Sequence, residues 1–473
     1  MKKIIRIFLL VAALTVVACA PLERELVLLS TNDMHAQIQN FPRLAAAVEA
    51  CRDTAQLVVL VDAGDRVSGN AFVDRVAMPG LPIVKLMNDV GYDVATLGNH
   101  EFDHGVVPLA QLIDSMRLAM ICANVKSETA DFPQLPPYVI IKRAGLRIGF
   151  VGVVTNYEGA AHPAGNERNF VGLTFPDPQQ MAAKYAAELR PKCDLLVLVS
   201  HMGDNRDLEL LTQNSAYDLV IGGHTHVELD TLVGATRLTQ SGKNLKNIGA
   251  TVVRFRGEKI QSIDYRVVPL ADYAPNAAYQ QRVDGYYADP ELNRPVGSFA
   301  ATANKWGVAN WMARLVAEEA DAEIGIYHIG GVRLDSLAAG NISTAVVYGL
   351  EPFGTHIARM RMTPAAMRRM IISKYNDPRN IKEGHRIDLI TTVPYEIVVD
   401  GRDQAIDVRF PTLTEGRAYL TAASDYVYNN YNDLEYTDGE LTDDTVVEVL
   451  LEELADHSPV TPDNTPYQRI RRP

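Results

Sequence analysis

Residues 91–105 read GYDVATLGNHEFDHG, a short apolar run followed by two histidines, a glutamate and an aspartate. The run from Asp93 to Leu97 has the composition of a buried strand, and the polar residues come directly after it. Open α/β sheets bind ligands beyond the carboxyl ends of their strands, so this segment is typical of a functional loop. A solvated polar turn is the alternative interpretation, and other segments of the chain are needed to decide between them.

The same arrangement recurs through the first half of the chain. LVLLS at 26–30 precedes TNDMH, LVVLV at 57–61 precedes DAGD, LLVLVS at 195–200 precedes HMGD, and DLVIGG at 218–223 precedes HTHVE. Between these runs lie helical patterns such as LPIVKLMNDVG at 81–91, whose apolar residues recur at i, i+3, i+4 and i+7. Continuous apolar strands that alternate with helices predict a layered α/β fold with buried parallel strands.

The length and texture of the chain predict two domains. A chain of 473 residues is too long for one ordinary core, and after Tyr265 the sequence becomes polar and rich in tyrosine before a second α/β pattern begins. We therefore predict a catalytic domain at 24–268, a connector at 269–295 and a second domain at 296–473.

The charge of the chain restricts its partners. It has 58 acidic and 45 basic residues and a formal net charge of −13. Broad nucleic-acid binding needs a basic surface that displaces phosphate counterions, so no nucleic-acid partner is expected. An anionic substrate must be held by local cations, because the global field does not attract it.

The N-terminal residues have the pattern of an export signal. Lys2, Lys3 and Arg6 precede an apolar run that is too short for a convincing membrane span. VVAC, which ends at Cys19, resembles the bacterial lipoprotein box and predicts a signal over 1–18, cleavage before Cys19 and its lipidation. The protein would then be anchored to the bacterial cell envelope, facing the periplasm or the outside. A plain secretory signal with an incidental cysteine is the alternative.

The other cysteines predict neither a disulfide framework nor a thiolate metal site. Cys51, Cys122 and Cys193 are odd in number and show no CxxC spacing. Cys122 and Cys193 adjoin apolar runs, so we expect both to be buried as small hydrophobic side chains.

The polar residues behind the five strand-like runs form one candidate metal centre. They are Asp33, His35, Asp65, Asn99, His100, His201, His224 and His226. Imidazole, carboxylate and amide ligands suit Zn²⁺, Mn²⁺ or iron, and the absence of thiolates argues against a structural zinc site. Because the ligands are too many for one ion, we expect two divalent ions about 3.5–4 Å apart, a pair that typically serves phosphoester hydrolysis.

These motifs resemble those of the binuclear metallophosphoesterases, and within them the secreted 5′-nucleotidase and UDP-sugar hydrolase family. The resembling segments are STNDMH, DAGD, GYDVATLGNHEFDHG, ANV, SHMGD and GGHTH, followed by GGVR and EPFG. The resemblance covers nearly all of the chain after the signal. It implies a four-layer αββα catalytic sandwich and a C-terminal α/β domain that recognises the nucleotide.

The resemblance also implies a role for each residue of the centre. One metal ion would be held by Asp33, His35, Asp65 and His226. The other would be held by Asp65, Asn99, His201 and His224, with Asp65 bridging the two ions. His100 would act on the substrate and be oriented by Asp103, whereas Glu101 and His104 would lie behind the ligands or in solvent.

In the second domain the resemblance implies two substrate-binding residues. Arg333 in GGVR matches an arginine that binds substrate, and a planar guanidinium can bond two phosphate oxygens at once. Tyr426 matches one of two aromatic residues that sandwich the nucleobase. Tyr428 and Tyr431 are alternatives if the alignment is shifted.

The chain departs from the family pattern mainly around the base. His328 and Thr355 stand where the family usually has Asn, Ala36 stands where it has Gly, and NNYND replaces a glycine-rich turn. The alignment places Ile390 or Thr391 opposite the stacking tyrosine, where an aromatic residue is expected. A pocket with one aromatic wall is expected to discriminate poorly among bases.

The sequence therefore predicts a metal-dependent phosphoric ester hydrolase, foremost a 5′-nucleotidase that converts a nucleoside monophosphate into nucleoside and phosphate. One alternative keeps the metal chemistry but acts on cyclic nucleotides, UDP-sugars, sugar phosphates or a sulfur ester. Another is a surface binding protein with a vestigial metal site. The intact set of ligand residues favours an enzyme.

Overall fold

The computed structural model describes most of the chain after the predicted signal. The described residues are 23–129, 131–156, 161–213, 216–431 and 433–473. The predicted signal and Cys19 lie outside them. Among these residues no helix has the length and apolar character required to cross a bilayer.

The first part of the chain forms two sheets flanked by helices. Its strands are β1 (Glu23–Thr31), β2 (Val58–Asp62), β3 (Val94–Ala95), β4 (Ala119–Met120), β5 (Lys126–Ser127), β6 (Tyr138–Arg143), β7 (Leu146–Val154), β8 (Leu173–Thr174), β9 (Leu195–His201), β10 (Leu219–Ile221), β11 (Glu228–Val233), β12 (Thr236–Ser241), β13 (Asn247–Arg256) and β14 (Lys259–Pro269). Its helices are α1 (Phe41–Thr54), α2 (Ala71–Asp74), α3 (Leu81–Val90), α4 (Val106–Asp114), α5 (Pro178–Leu189), α6 (Asp204–Gln213) and α7 (Ala277–Tyr287). The two sheets have the strand orders β14–β13–β1–β2–β3–β4 and β11–β12–β10–β9–β7–β6.

These sheets and helices stack in four layers. Leu28 of β1 and Val197 of β9 belong to one buried cluster between the two sheets. Helices α1 and α3 cover the outer face of the first sheet, and α5 covers the outer face of the second. The predicted αββα sandwich is confirmed. Its central strands are apolar on both faces because each face is covered.

Two local predictions are also confirmed. The amphipathic segment at 81–91 forms α3, which ends at Gly91 in a left-handed conformation (φ 83°) that glycine adopts without steric strain. Cys122 and Cys193 are buried and, like Cys51, unpaired.

The second part of the chain is a separate α/β assembly. Its strands are β15 (Pro295–Phe299), β16 (Ala303–Asn304), β17 (Ile324–His328), β18 (Ser336–Leu337), β19 (Gly340–Ser343), β20 (His356–Met362), β21 (Leu389–Thr391), β22 (Tyr395–Val399), β23 (Ala405–Arg409), β24 (Tyr419–Ser424), β25 (Thr437–Thr445) and β26 (Gln468–Arg471). Its helices are α8 (Lys305–Glu319), α9 (Thr344–Leu350), α10 (Pro364–Asn376), α11 (Pro378–Glu383), α12 (Asp425–Asn430) and α13 (Val446–His457). The main sheet has the order β21–β17–β24–β20–β25, with α8 and α13 on one face and α10 on the other.

The predicted connector contains helix α7, which packs against the first part of the chain. Val283 of α7 is buried in the same cluster as the apolar residues of α1 and α3. The Tyr287 ring lies 4.7 Å from that of Phe72. The boundaries at 24–268, 269–295 and 296–473 stay predictions.

Candidate metal centre and substrate cavity

The predicted ligands lie at the carboxyl ends of strands from both sheets of the sandwich. Asp33 and His35 follow β1, Asp65 follows β2, Asn99 follows β3, His201 ends β9, and His224 and His226 follow β10. Strands β1, β2 and β3 are neighbours in one sheet, and β9 and β10 are neighbours in the other. The structure therefore brings all seven predicted ligands to one end of the sandwich.

The backbone at this end of the sheets is held in unusual conformations. Five predicted ligands have a positive φ: Asp33 (49°), His35 (45°), Asp65 (54°), His224 (82°) and His226 (59°). Residues other than glycine rarely adopt such angles, and each instance costs about 1–3 kcal/mol. Hydrogen bonds between the loops maintain them, since the Asp33 amide donates to Gly64 O (3.0 Å) and the His35 amide to Asp65 O (3.0 Å). The loops are thus shaped to direct side chains at a common point.

The first group of converging side chains is Asp33, His35, Asp65 and His226, whose ligand atoms lie within 4.8 Å of one another. Nδ1 of His35 lies 3.2 Å from the carbonyl oxygen of Ser68, which can only accept, so Nδ1 carries the proton and Nε2 has a free lone pair. That Nε2 lies 3.0 Å from Nε2 of His226. Two imidazole nitrogens and two carboxylates that face one another in this way suit a shared cation.

The second group is Asp65, His201 and His224, and it shares Asp65 with the first. Nδ1 of His201 donates to Ala63 O (2.7 Å), which leaves Nε2 directed at Asp65 Oδ2 at 3.1 Å without hydrogen-bond geometry. Nδ1 of His224 lies 3.0 Å from Asn99 Oδ1. A buried, unsatisfied imidazole nitrogen beside a carboxylate fits a metal ligand, so this group, like the first, suits a divalent cation.

The ionisation of this cluster reflects its burial and its close charges. Burial raises the pKa of Asp33 to about 7, although His201 works against the rise. Burial opposes protonation of His201, but the carboxylates of Asp65 and Asp33 outweigh it and raise its pKa to about 10. The carboxylates of Asp33 and Asp65 thus stabilise a positive charge between them, which a bound cation would also provide.

His100 and Asp103 form a hydrogen-bonded pair beside the predicted ligands. Both belong to a tight turn in which residues 100–102 form a 3-10 helix after β3. Nδ1 of His100 lies 2.7 Å from Asp103 Oδ2, and the His100 amide donates to Asp65 Oδ1 (2.9 Å). Burial lowers the pKa of His100, but the charges of Asp103 and Asp65 offset it and raise the pKa to about 9. Nε2 of His100 is the ring nitrogen left for a substrate.

Glu101, the next residue, lies behind the ligands and is 2% exposed. Its carboxylate accepts hydrogen bonds from the amides of Asp65 (2.9 Å), Arg66 (2.8 Å) and Gly98 (2.5 Å). It therefore ties the loop after β2 to the loop after β3. The sequence places Glu101 near the site but contains no signal for these three backbone contacts.

The candidate metal centre opens into a cavity of about 390 Å³ that reaches the second part of the chain. Asn99, His100 and His224 line it from one side, and Arg333 and Tyr426 line it from the other. The structure thus brings the two predicted substrate-binding residues to the same cavity as the predicted ligands.

The prediction for the wall opposite Tyr426 is wrong. Ile390 is fully buried in the core, and the Thr391 hydroxyl donates to Val393 O (2.6 Å). Strand β21 pairs Ile390 with Tyr327 of β17, and this register directs Ile390 into the core, whereas Asp388, just before the strand, lines the cavity.

The ring that contacts Tyr426 is that of His328. The two rings are stacked with centroids 4.6 Å apart and an angle of 19°. Of the two alternative tyrosines, Tyr431 lines the cavity and donates to Asp388, whereas Tyr428 packs on Tyr436. Burial, together with the positive charges of Lys374 and Arg333, lowers the pKa of His328 to about 3, so its ring is neutral.

Phe353 is a residue of the cavity that the sequence analysis did not assign. It lies in the quoted EPFG segment, and its ring stacks on His100 with centroids 5.6 Å apart. The Arg333 guanidinium carbon lies 5.5 Å from the Phe353 ring centroid. The EPFG motif draws attention to this segment, but the sequence does not indicate which side chains Phe353 contacts.

Comparisons with known proteins agree with the two-part architecture. A calcineurin-like phosphoesterase family matches residues 26–228, and the C-terminal domain of 5′-nucleotidases matches residues 291–430. The chain is 26% identical over 399 residues to the endonuclease YhcR of Bacillus subtilis, covering 73% of this chain and 32% of that protein. It is 25% identical over 441 residues to the 5′-nucleotidase of Vibrio cholerae, covering 75% of this chain and 77% of that protein.

The fold matches a solved structure over nearly its whole length. A 5′-nucleotidase precursor from Thermus thermophilus superposes with a TM-score of 0.78 at 19% identity, covering 94% of this chain and 99% of that one. The chain nevertheless spans only about a quarter to a third of the length of several curated relatives. It spans a much larger share of the Vibrio protein.

Proposed function

Because the chain joins a calcineurin-like phosphoesterase domain to a 5′-nucleotidase C-terminal domain, we propose that it is a metal-dependent hydrolase that converts nucleoside 5′-monophosphates into nucleosides and phosphate. The observation that carries this proposal is that one cavity is lined by Asp65, Asn99 and His224 on one side and by Arg333 and Tyr426 on the other. The residues proposed to act on the phosphate and those proposed to bind the nucleoside therefore line the same cavity.

Two divalent ions, zinc or manganese, would be held by the two converging groups. One ion would take Asp33, His35, Asp65 and His226, and the other would take Asp65, Asn99, His201 and His224. The unsatisfied Nε2 of His201 and the facing nitrogens of His35 and His226 support this assignment. When bound, such an ion pair supplies the acidification of water and the screening of phosphate charge that ester hydrolysis requires.

His100 would act on the phosphate ester through Nε2. Asp103 holds Nδ1 at 2.7 Å and favours the protonated ring, so Nε2 can donate to a phosphoryl oxygen or to the leaving oxygen. Arg333 would bond phosphate oxygens with its planar guanidinium. Its contact with the face of Phe353 supports this role because it holds the guanidinium at the cavity wall.

Tyr426 would hold the nucleoside by stacking on the base. A base would stack on the face of the Tyr426 ring opposite His328. The nucleoside would then lie against Tyr426, beside polar side chains such as Asp388 and Lys374.

A substrate panel tests this function. The protein without residues 1–18 is incubated with added Zn²⁺ or Mn²⁺, and phosphate release is measured with nucleoside 5′-monophosphates, UDP-sugars and sugar phosphates. Cyclic nucleotides are tested by product analysis, because opening the ring releases no phosphate. We expect the highest kcat/KM with the 5′-monophosphates. A higher value with another class would overturn the nucleotidase assignment, and no turnover of any ester would favour a binding protein.

We propose in addition that the protein is exported and anchored by a lipid on Cys19. The basic start, the apolar run and the VVAC sequence support this localisation. Cys19→Ser is expected to abolish acylation and either release the protein from the membrane or leave its signal uncut. Membrane association of a processed Cys19→Ser protein at the level of the unaltered chain would contradict the anchor.

A further inference from the structure

Phe353 belongs to the second part of the chain but contacts the histidine of the first. Its ring stacks on the His100 imidazole with centroids 5.6 Å apart and an angle of 23°. Phe353 lies in the loop between α9 and β20, whereas His100 follows β3 of the sandwich. The contact therefore joins the two parts of the chain at the predicted reacting group.

The His100 ring is bounded on several sides. Asp103 holds Nδ1, and the His35 ring meets the imidazole edge-on with centroids 5.1 Å apart. Phe353 adds a stacking contact on the flat face of the imidazole. Because a hydrogen bond at Nδ1 alone still permits the ring to tilt, the stacking contact restricts the direction of Nε2.

The loop that carries Phe353 is itself held by a buried carboxylate. Glu351 is 1% exposed and accepts hydrogen bonds from the Phe353 amide (3.1 Å), the Thr355 hydroxyl (2.7 Å) and the Tyr327 hydroxyl. Breaking these bonds would leave a buried carboxylate unsatisfied, so they restrain the loop between α9 and β20. A fixed ring at this position is suited to orient a partner.

We propose that Phe353 is a positioning residue for His100, through which the second domain assists the chemical step on any phosphate ester. This inference rests on the proposed role of His100. It differs from nucleoside recognition, because it predicts that an interdomain contact affects turnover even when the substrate has no base. Misplacement of a catalytic group by about 1 Å can lower rates by about 10²-fold, so a partial loss of alignment is measurable.

The test uses an aryl phosphate, which has no nucleoside, and the metal-loaded enzyme. Phe353→Ala is expected to lower kcat by about tenfold, since alignment affects the reacting state, and any rise in KM is attributed to the separate contact of Phe353 with Arg333. Phe353→Tyr retains the ring and is expected to restore most of the turnover. Phe353→Leu keeps the apolar volume without a flat face, and it is expected to resemble the alanine variant.

Tyr348 offers a matched control. It is an aromatic residue of α9 in the second part of the chain, and its ring holds the Arg75 guanidinium of the first part at 4.1 Å. Tyr348→Ala weakens a different contact between the same two parts of the chain, and Tyr348 does not contact His100. We expect its kcat to equal that of the unaltered enzyme, and a loss equal to that of Phe353→Ala would overturn the inference.

A double variant separates positioning from a general structural effect. In a His100→Asn background, Phe353→Ala is expected to cause no further loss, because the group that it positions is already absent. An equal tenfold loss in that background would overturn the positioning role. If His100→Asn is impaired but Phe353→Ala is not, only this inference fails. If His100→Asn itself retains full turnover, the proposed function of His100 fails with it.

Discussion

The candidate metal centre and the proposed nucleoside end of the cavity are built in different ways. The centre is made of side chains that directly follow neighbouring strands, and Asp33, His35 and Asp65 are at most 1% exposed. The nucleoside end is made of partly exposed rings from separate segments, such as His328 at the end of β17 and Tyr426 in α12. The difference teaches that strand ends specify a site through local sequence, whereas a stacking wall depends on which distant segments meet.

The largest expected effect comes from the residue shared by both donor groups. Asp65→Asn removes a charge from both, and we expect turnover to fall by about 10³-fold or more, since loss of a single charge-stabilising group already costs about 10²–10³. Turnover and metal content per chain are measured together. Asp230→Asn, which alters an exposed carboxylate paired with Arg237, serves as the control and should retain both. Equal activity of the two variants would contradict the bridging assignment.

His100→Asn is expected to lower turnover by about 10²–10⁴ while the metal content stays near two ions per chain. The reason is that the imidazole contacts Asp103 and faces the cavity but belongs to neither converging donor group. Elemental analysis alongside the kinetics checks this outcome. A variant that loses its metal would show that His100 is a ligand.

Tyr426→Ala tests the nucleoside end alone. A base stacked on one aromatic face is worth about 1–3 kcal/mol, and His328 occupies the other face, so we expect the KM for a nucleoside monophosphate to rise by about tenfold. The effect on an aryl phosphate should be much smaller. Comparable losses with both substrates would place the nucleoside elsewhere.

The smallest effect is expected for His328→Asn, which removes the ring stacked on Tyr426. An aromatic pair contributes about 0.5–1.5 kcal/mol, and without it the Tyr426 ring is held less firmly, so kcat/KM for nucleotides should fall by less than about tenfold. The ratio of kcat/KM for several bases gives a second measure and should stay the same, because each base would use the same face of Tyr426. An unchanged kcat/KM would show that His328 does not hold the Tyr426 ring in place for the base.

Much of the fold followed from patterns of apolar residues. The continuous apolar strands and helix α3 agree with the structure because burial leaves a clear pattern of apolar residues, whereas the four-layer αββα order, which also agrees, was implied by the family resemblance. The wall at Ile390 was predicted wrongly because alignment alone does not determine strand register, and a shift of one residue exchanges the two faces of a strand. The domain boundaries and the roles of the ligands stay predictions.

The sequence by itself determined that the predicted ligands meet at one end of the sandwich, because each follows a strand whose carboxyl end must reach the same edge of its sheet. Tertiary structure alone decided the ring contacts: Phe353 on His100, and His328 on Tyr426. It also decided that Glu101 ties together the loops after β2 and β3. The physical reason is that strand-end motifs are encoded over a few neighbouring residues. A stacking face or a buried carboxylate acquires its partner only when distant segments pack in one register.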